Sequence, residues 1–227
     1  MKIMHIEARY NKKITLPDEF INNIPKKVMF FTTVQYMDSL ESMKQQLIDA
    51  NIDVSLSSPR HTKYKGQILG CSNRLIKGFE GDFVFVGDGE FHPKALLLQN
   101  KSRVYAFDPK TEIQKVFDHQ DAEKLRKKVK GAFTKFIMSK SIGVLITTKP
   151  GQYKERIADK LVEKFPDKKF YFFLDNTHNF NGLNDFPFID CFVNTMCERI
   201  GYDDMDVQNM SIINAEDIFD IENGLFD

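Results

Sequence analysis

The pattern of apolar positions along this chain occurs twice. Val28-Met29-Phe30-Phe31-Thr32-Thr33 is a continuous apolar run closed by two threonines. Gln35 follows, and then Met37, Leu40, Met43, Leu47 and Ala50 recur at helical spacing. Val144-Leu145-Ile146-Thr147-Thr148, then Gln152, then Ile157, Leu161, Val162 and Phe165 repeat the arrangement. Each copy predicts a buried strand, a threonine loop and an amphipathic helix. Each leads into a further apolar strand, over 52–56 and over 170–174. A helix crossing between successive strands makes them parallel and covers the sheet on both faces. The expected fold class is α/β, with two related domains of mainly parallel sheets flanked by helices.

Further strands are expected over 83–86 and 104–107 in the first half, and over 189–193 and 211–213 in the second. Asp121 opens a long helix that runs to about Ser139 and joins the halves. Ahead of the first copy, residues 2–8 read as one short strand with no helix or partner strand, like the tail of something absent. The expected organisation is a residual strand over 1–9, an α/β domain over 10–120, a connecting helix over 121–140 and a second α/β domain over 141–227.

The 227 residues are 42% hydrophobic, enough for two ordinary cores. Lysine plus arginine and aspartate plus glutamate both number 32, so the formal net charge is zero. That argues against direct nucleic-acid binding through bulk charge, which needs a basic excess. The basic run over 123–130 has apolar positions at helical spacing and reads as the solvated face of an amphipathic helix. No apolar run approaches the ~18 residues that cross a membrane, and the opening Met1-Lys2-Ile3-Met4-His5-Ile6 is too quickly polar for a signal peptide. Three cysteines without an export signal fit a reducing compartment, so the expected location is cytoplasmic.

In parallel α/β sheets, ligands collect at the carboxyl ends of strands. Four segments fall there. Gly66-Gln67-Ile68-Leu69-Gly70-Cys71-Ser72 precedes a short helix with Leu75, Ile76 and Phe79 inward. A cysteine near a helix N-terminus suits a metal ligand or nucleophile, or is simply a small buried apolar residue. Gly87-Asp88-Gly89-Glu90-Phe91-His92-Pro93 combines a tight turn with polar groups, or is a plain turn with a capping Asp. It is neither G-x-G-x-x-G nor a Walker A loop. Thr147-Thr148-Lys149-Pro150-Gly151-Gln152 would accept an anionic group such as a carboxylate, or serves turn and capping chemistry alone. Asn194-Thr195-Met196-Cys197-Glu198-Arg199-Ile200 places Cys197 just past a strand and beside a cation. Cys191, inside that strand, reads as core packing. No C-x-x-C pair or zinc spacing is present. The residues alone reach two loop cysteines brought to a shared site by paired α/β units, together with a Gly/acid/His loop, and no reaction.

Taken in order, the segments TTVQ at 32–35, GQILGC at 66–71, VFVGDGEFHP at 84–93, FDP at 107–109, TTKPGQ at 147–152 and VNTMCERI at 193–200 resemble the archaeal diphthamide-synthesis enzymes, the 2-(3-amino-3-carboxypropyl)histidine synthase family. The resemblance covers nearly the whole chain. It implies three related α/β domains, each giving one cysteine to a [4Fe–4S] cluster whose fourth iron binds S-adenosylmethionine. It also implies reductive cleavage to a 3-amino-3-carboxypropyl radical, which adds to a histidine of the translocation elongation factor. On this resemblance Cys71 and Cys197 match the second- and third-domain cluster ligands. Gly87, Asp88, Gly89, Glu90 and His92, with Lys149, Pro150, Gly151 and Gln152, match segments near the cofactor pocket. Glycines and Gln152 are expected to hold the methionine moiety, and Lys149 or Arg199 to lie near its carboxylate. The resemblance assigns no catalytic residue.

The departures from the family are large. Its first domain and that domain's cysteine have no counterpart here; residues 2–8 and Arg9 look like that domain's last strand. The family's usual CPRI is Cys197-Glu198-Arg199-Ile200, and Cys191 stands where many members have a small residue. The expectation is half of a split enzyme that shares its cluster with a separately encoded chain supplying the missing domain and third cysteine. The alternative is a non-catalytic partner or scaffold subunit that binds the elongation factor or another subunit without a cluster. Completion of a cluster within this chain by Cys191 or a non-cysteine group ranks last, because the mid-strand Cys191 side chain should face the core. Association into homo- or hetero-oligomers is expected, and contact with a membrane is not.

Overall fold

The computed structural model describes residues 4, 6–59, 61–70, 79–98, 100, 102–203 and 210–224. The chain divides into two units, Met1–Glu123 and Lys124–Asp227.

The first unit holds a five-stranded sheet in the order β2-β1-β3-β4-β5. Its strands are β1 (Lys27–Thr32), β2 (Asp53–Ser55), β3 (Asp82–Val86), β4 (Val104–Phe107) and β5 (Gln114–Phe117). The first four are parallel and β5 is antiparallel. In β1 and β3 nearly every residue is apolar and buried because helices cover both faces. Val28, Phe30, Val84 and Val86 meet Phe20 and Ile21 of α1 (Asp18–Asn23) and Leu40, Met43 and Leu47 of α2 (Leu40–Asp49). Met29, Phe31, Phe83 and Phe85 meet Leu96 of α3 (Phe91–Leu96) and Ala122 of α4 (His119–Met138). The helical pattern after Thr33 begins as a 3₁₀ turn over Val34–Ser39 before α2 takes over.

The second unit holds a wholly parallel sheet in the order β7-β6-β8-β9. Its strands are β6 (Ser141–Thr147), β7 (Lys169–Asp175), β8 (Cys191–Asn194) and β9 (Ile212–Asn214). Ile142, Val144 and Ile146 pack on Phe136 of α4, Leu161 of α5 (Glu155–Lys164) and Ile218 of α7 (Ala215–Glu222). The other face of β6 carries Leu145 against Leu183, Phe192 and Ile212. Gly143 lies on that face, where a Cβ would stand 2.5 Å from the Phe192 ring. Each unit orders its strands second, first, third, fourth, so the repeat read from the apolar pattern is a repeat of topology.

Three expectations need correction. Among the described residues at the N-terminus, Met4 and 6–8 belong to no strand. A lone extended segment has no neighbour to complete its ladder bonds, and Glu7 is held instead by side chains, pairing with Arg9 and Lys63. The basic run is not wholly a solvated face, because Lys124, Lys127 and Lys130 are exposed but Arg126 is buried. The antiparallel strand β5 was not anticipated, since its burial pattern lacks the alternation of a strand. The short helix expected around Leu75 and Ile76 lies outside the described residues. No described helix is long and apolar enough to cross a membrane.

The last turn of α4 is closed by a cation from the connection between α5 and β7. Buried Lys168 donates from Nζ to the carbonyls of Ile137 and Ser139, at 2.8 Å each, and lies over the Phe136 ring. Helix C-terminal carbonyls lack intrahelical donors, so a positive donor there is favourable. Lys168→Met should destabilise the chain by about 1.5–3 kcal/mol, the range for hydrogen bonds to a charged group. Gly143→Ala should overpack the sheet against Phe192 and lose about 1–3 kcal/mol. Urea unfolding followed by circular dichroism reads both.

Candidate functional site

In the first unit, the run leading to Cys71 is stitched to the carboxyl end of β1. Thr32 N donates to Gly66 O at 2.8 Å, and Ile68 N donates to Thr32 O at 2.9 Å. The Thr32 hydroxyl bonds Val86 O at 2.6 Å, tying the ends of β1 and β3 together. Gly66 has φ +79°, and a Cβ there would meet Leu40 at 2.9 Å, so glycine is required twice over. The Gln67 side-chain oxygen accepts from the backbone N–H groups of Lys63 and Tyr64. Cys71 itself lies outside the described residues.

The loop after β3 carries Gly87, Asp88, Gly89, Glu90 and His92. A Cβ on Gly87 would meet the Phe85 ring at 2.6 Å, and the His92 ring stacks on that same phenyl with centroids 5.5 Å apart. Both acids pair with lysines: Asp88 with Lys110 at 3.0 Å, and Glu90 with Lys115 at 2.7 Å and with Lys94. Hydrogen bonds from Lys115 and then Lys94 hold the Glu90 carboxyl down to about 2. For Asp88, partial burial raises the pKa, but the Lys110 bond, a backbone hydrogen bond and the charge of Lys110 together outweigh it and leave the carboxyl below its ordinary value. Both side chains are thus carboxylates matched to surface cations.

In the second unit, two of the expected loops leave the carboxyl ends of adjacent strands. After β6, the Thr147 hydroxyl donates to Asn176 O at 2.9 Å and accepts from Lys149 N at 3.2 Å. Gln152 N closes the turn on Lys149 O at 3.1 Å, with Gly151 at φ +80°. Lys149 and Gln152 are half-buried and Pro150 is exposed. Two residues on, Lys154 pairs with Glu216 and lies 3.9 Å from Glu198, which joins this loop to the one bearing Cys197.

The Cys197 loop follows β8 and is held by side-chain amides. Asn194 Nδ2 donates to Cys197 O at 2.9 Å and to Asn214 Oδ1 at 2.7 Å, while its own Oδ1 accepts from Met196 N. Asn214 Nδ2 donates to Glu198 O and to Asp217, and the Tyr202 hydroxyl bonds the second Asp217 oxygen at 2.8 Å. Asn194, Asn214 and Asp217 are buried, with the two side-chain amides and the carboxylate hydrogen-bonded, the condition under which a buried polar network fixes one geometry. Gly201 makes room, since a Cβ there would stand 2.4 Å from Asn214 Oδ1. None of Asn194, Asn214, Asp217 or Tyr202 was singled out from the sequence; only Gly201, in the first turn of α6 (Arg199–Asp203), hints at close packing.

The two described thiols are chemically opposite. Cys191 opens β8, is 1% exposed, and has its thiol near Ser211 O at 3.5 Å. Burial pushes its pKa up to about 12, so it stays a protonated core group. Cys197 is partly exposed, outside the ladder, next to the exposed Arg199 at the start of α6. This donor fits a thiolate–metal bond and Cys191 does not. Among the described residues, no three His, Cys, Asp or Glu side chains gather into a metal-holding group.

A family model described as "Putative diphthamide synthesis protein" matches residues 1–215. The 2-(3-amino-3-carboxypropyl)histidine synthase of Pyrococcus horikoshii is 27% identical over 201 residues, covering 87% of this chain and 58% of that protein. The synthase of the same name from Methanocaldococcus jannaschii is 28% identical over 198 residues, covering 85% of this chain and 51% of that protein. The crystal structure of Dph2 from Pyrococcus horikoshii with a 4Fe-4S cluster superposes with a TM-score of 0.77 at 26% identity, covering 90% of this chain and 60% of that one. This chain therefore spans between half and three-fifths of the length of the proteins it matches. With almost its entire length matched by the family model, it belongs to the diphthamide synthesis protein family.

Proposed function

We propose that this chain is a subunit of an iron–sulfur transferase of diphthamide synthesis. In this reading, the 3-amino-3-carboxypropyl group of S-adenosylmethionine passes to a histidine of the translocation elongation factor. The observation that carries it is Cys197, a partly exposed thiol on a loop locked by Asn194 and Asn214 at the carboxyl end of β8. Cys71 is the second ligand, and in our reading the third thiolate comes from a related α/β domain that residues 1–227 do not include. A [4Fe–4S] cluster, when bound, supplies the electron and the open iron site for cleaving the sulfonium carbon–sulfur bond.

The chain's own residues bind and orient. A ligand loop must present its sulfur without rearrangement, and the buried amides hold the backbone on both sides of Cys197. Lys149 and Arg199 supply positive charge near that loop for the carboxylate of S-adenosylmethionine, and the 147–152 turn offers Gln152 as a neutral hydrogen-bonding group. Asp88 and Glu90, paired with Lys110 and Lys115, keep the first unit's loop in shape.

Anaerobic reconstitution with iron and sulfide tests the proposal. A stable cluster, read by bound iron and by visible and paramagnetic resonance spectra, should form when a chain carrying the related domain is added. Cys71→Ala and Cys197→Ala should each abolish it, while Cys191→Ala should leave it intact. A cluster that forms on this chain alone and survives both loss variants defeats the proposal. Gly201→Ala should displace the Asn214 amide, destabilise the fold by about 1–3 kcal/mol and speed iron release to a chelator. The conservative Cys197→Ser should lose iron without that loss of stability.

A further inference from the structure

The segment ahead of α1 carries a polar cluster that the proposed chemistry does not use. Met4 and Ile6 are each 81% exposed, so apolar burial does not hold this part of the chain. Three side chains converge on Glu7 instead. One carboxylate oxygen accepts from Lys63 Nζ at 2.9 Å, and the other accepts from the Arg9 guanidinium. The Tyr64 hydroxyl sits between them, 3.1 and 3.0 Å from the two oxygens. Arg9 in turn bonds Asp38 at 3.1 Å and lies over the Tyr64 ring, 5.0 Å from its centroid. Tyr10 N donates to Gln35 O at 2.7 Å. The segment thus clasps two connections at once, the 3₁₀ turn after β1 and the run over 61–67.

The second of these leads to Cys71. Lys63 and Tyr64, which meet Glu7 with their side chains, give their backbone N–H groups to Gln67 Oε1. Gln67 N returns to Tyr64 O at 3.2 Å, and Ile68 N reaches Thr32 O at the end of β1. Cys71 is three positions further along. The run is therefore gripped from both sides, by β1 at Gly66 and Ile68 and by Glu7 at Lys63 and Tyr64. Hydrogen bonds from Lys63 and then Arg9 hold the Glu7 carboxyl down to about 2, so it stays a carboxylate between two cations at neutral pH.

We infer that Glu7 is a positioning residue for the thiol of Cys71, presetting the course of the run that ends there. The role rests on the reading of Cys71 as a cluster ligand. Exposed ion pairs add little to global stability, because water screens them and long side chains lose freedom in making them. Tying a loop to a neighbouring segment acts on local opening, which is a separate quantity. A ligand loop gains from that restraint, since a sulfur already in place has less freedom to lose when it binds. A clasp serving only to anchor the segment could land anywhere on the unit. This one lands on the two residues that close the turn around Gln67.

The metal-free full chain under reducing conditions tests this without iron, so the role of Glu7 and the cluster itself can fail separately. Glu7→Ala should speed amide exchange over 61–70 by about tenfold and leave exchange in β6 unchanged. It should also change the rate at which iodoacetamide alkylates Cys71 by about threefold or more, with Cys197 of the same molecule as the unaffected reference. The urea midpoint should stay in place. Glu7→Gln, which keeps an oxygen for the Tyr64 hydroxyl, should recover part of both effects. Unchanged alkylation of Cys71 in Glu7→Ala overturns the inference, whatever happens to exchange over 61–70. A fall in the urea midpoint with faster exchange throughout the first unit overturns it too, because Glu7 would then serve stability alone.

Discussion

The structure depends on one constraint: the central strands β1 and β6 are buried on both faces, so a polar group can live only at a strand end. Every helix packed on these sheets serves that burial, with Phe30, Phe31 and Leu145 fully enclosed. Because the strands around β1 and β6 are parallel, their carboxyl ends fall along the same border of each sheet. The chain's chemistry is concentrated there as a consequence. Thr32 and Thr195 mark the border, each donating its hydroxyl to the carbonyl of a neighbouring strand, Val86 and Leu145 respectively. The contrast between Cys191 and Cys197 follows from the same constraint. Five residues separate a thiol inside the ladder, held protonated by burial, from one beyond it that solvent and a ligand can reach.

The repeat is one of frame and not of site. In each unit the third strand, β3 or β8, runs parallel beside the first and ends in a loop that leads into a helix. After β3 that loop is glycine and acid, with its charges neutralised by Lys110, Lys94 and Lys115. After β8 it is the thiol loop, held by buried amides. Cys71 belongs to a different connection, between the second and third strands. Two copies of one topology can thus carry different functional groups, because the ladder dictates only where loops emerge.

Strands were legible in the sequence where burial on both faces forces unbroken apolar runs, as at 28–31 and 144–146. The core fate of Cys191 was legible for the same reason, since its neighbours Phe192 and Val193 have no solvent face. β5 was not, because Gln114, Lys115 and Val116 at a sheet edge follow no strong period. The network of Asn194, Asn214, Asp217 and Tyr202 was invisible for a different reason. Its members are brought together by the pairing of β8 with β9 and by the helices that follow, a tertiary fact with no local signature. Arg126 misled because helical period reports a face, and a long cationic side chain can be buried on either one.

The amide network also bears on the residue after Cys197. Where the resemblance leads one to expect proline, this chain has Glu198. Proline would restrain the loop through its ring, fixing φ and removing a donor. Glu198 has neither property, yet its carbonyl accepts from Asn214 and its buried carboxylate lies 3.9 Å from Lys154. The restraint has passed from a covalent ring to hydrogen bonds and a charge contact. Restraint of this kind reaches further than a ring does, because Lys154 lies just beyond the 147–152 turn and also grips Glu216 at the start of α7. The thiol loop, the turn after β6 and α7 are therefore mechanically joined.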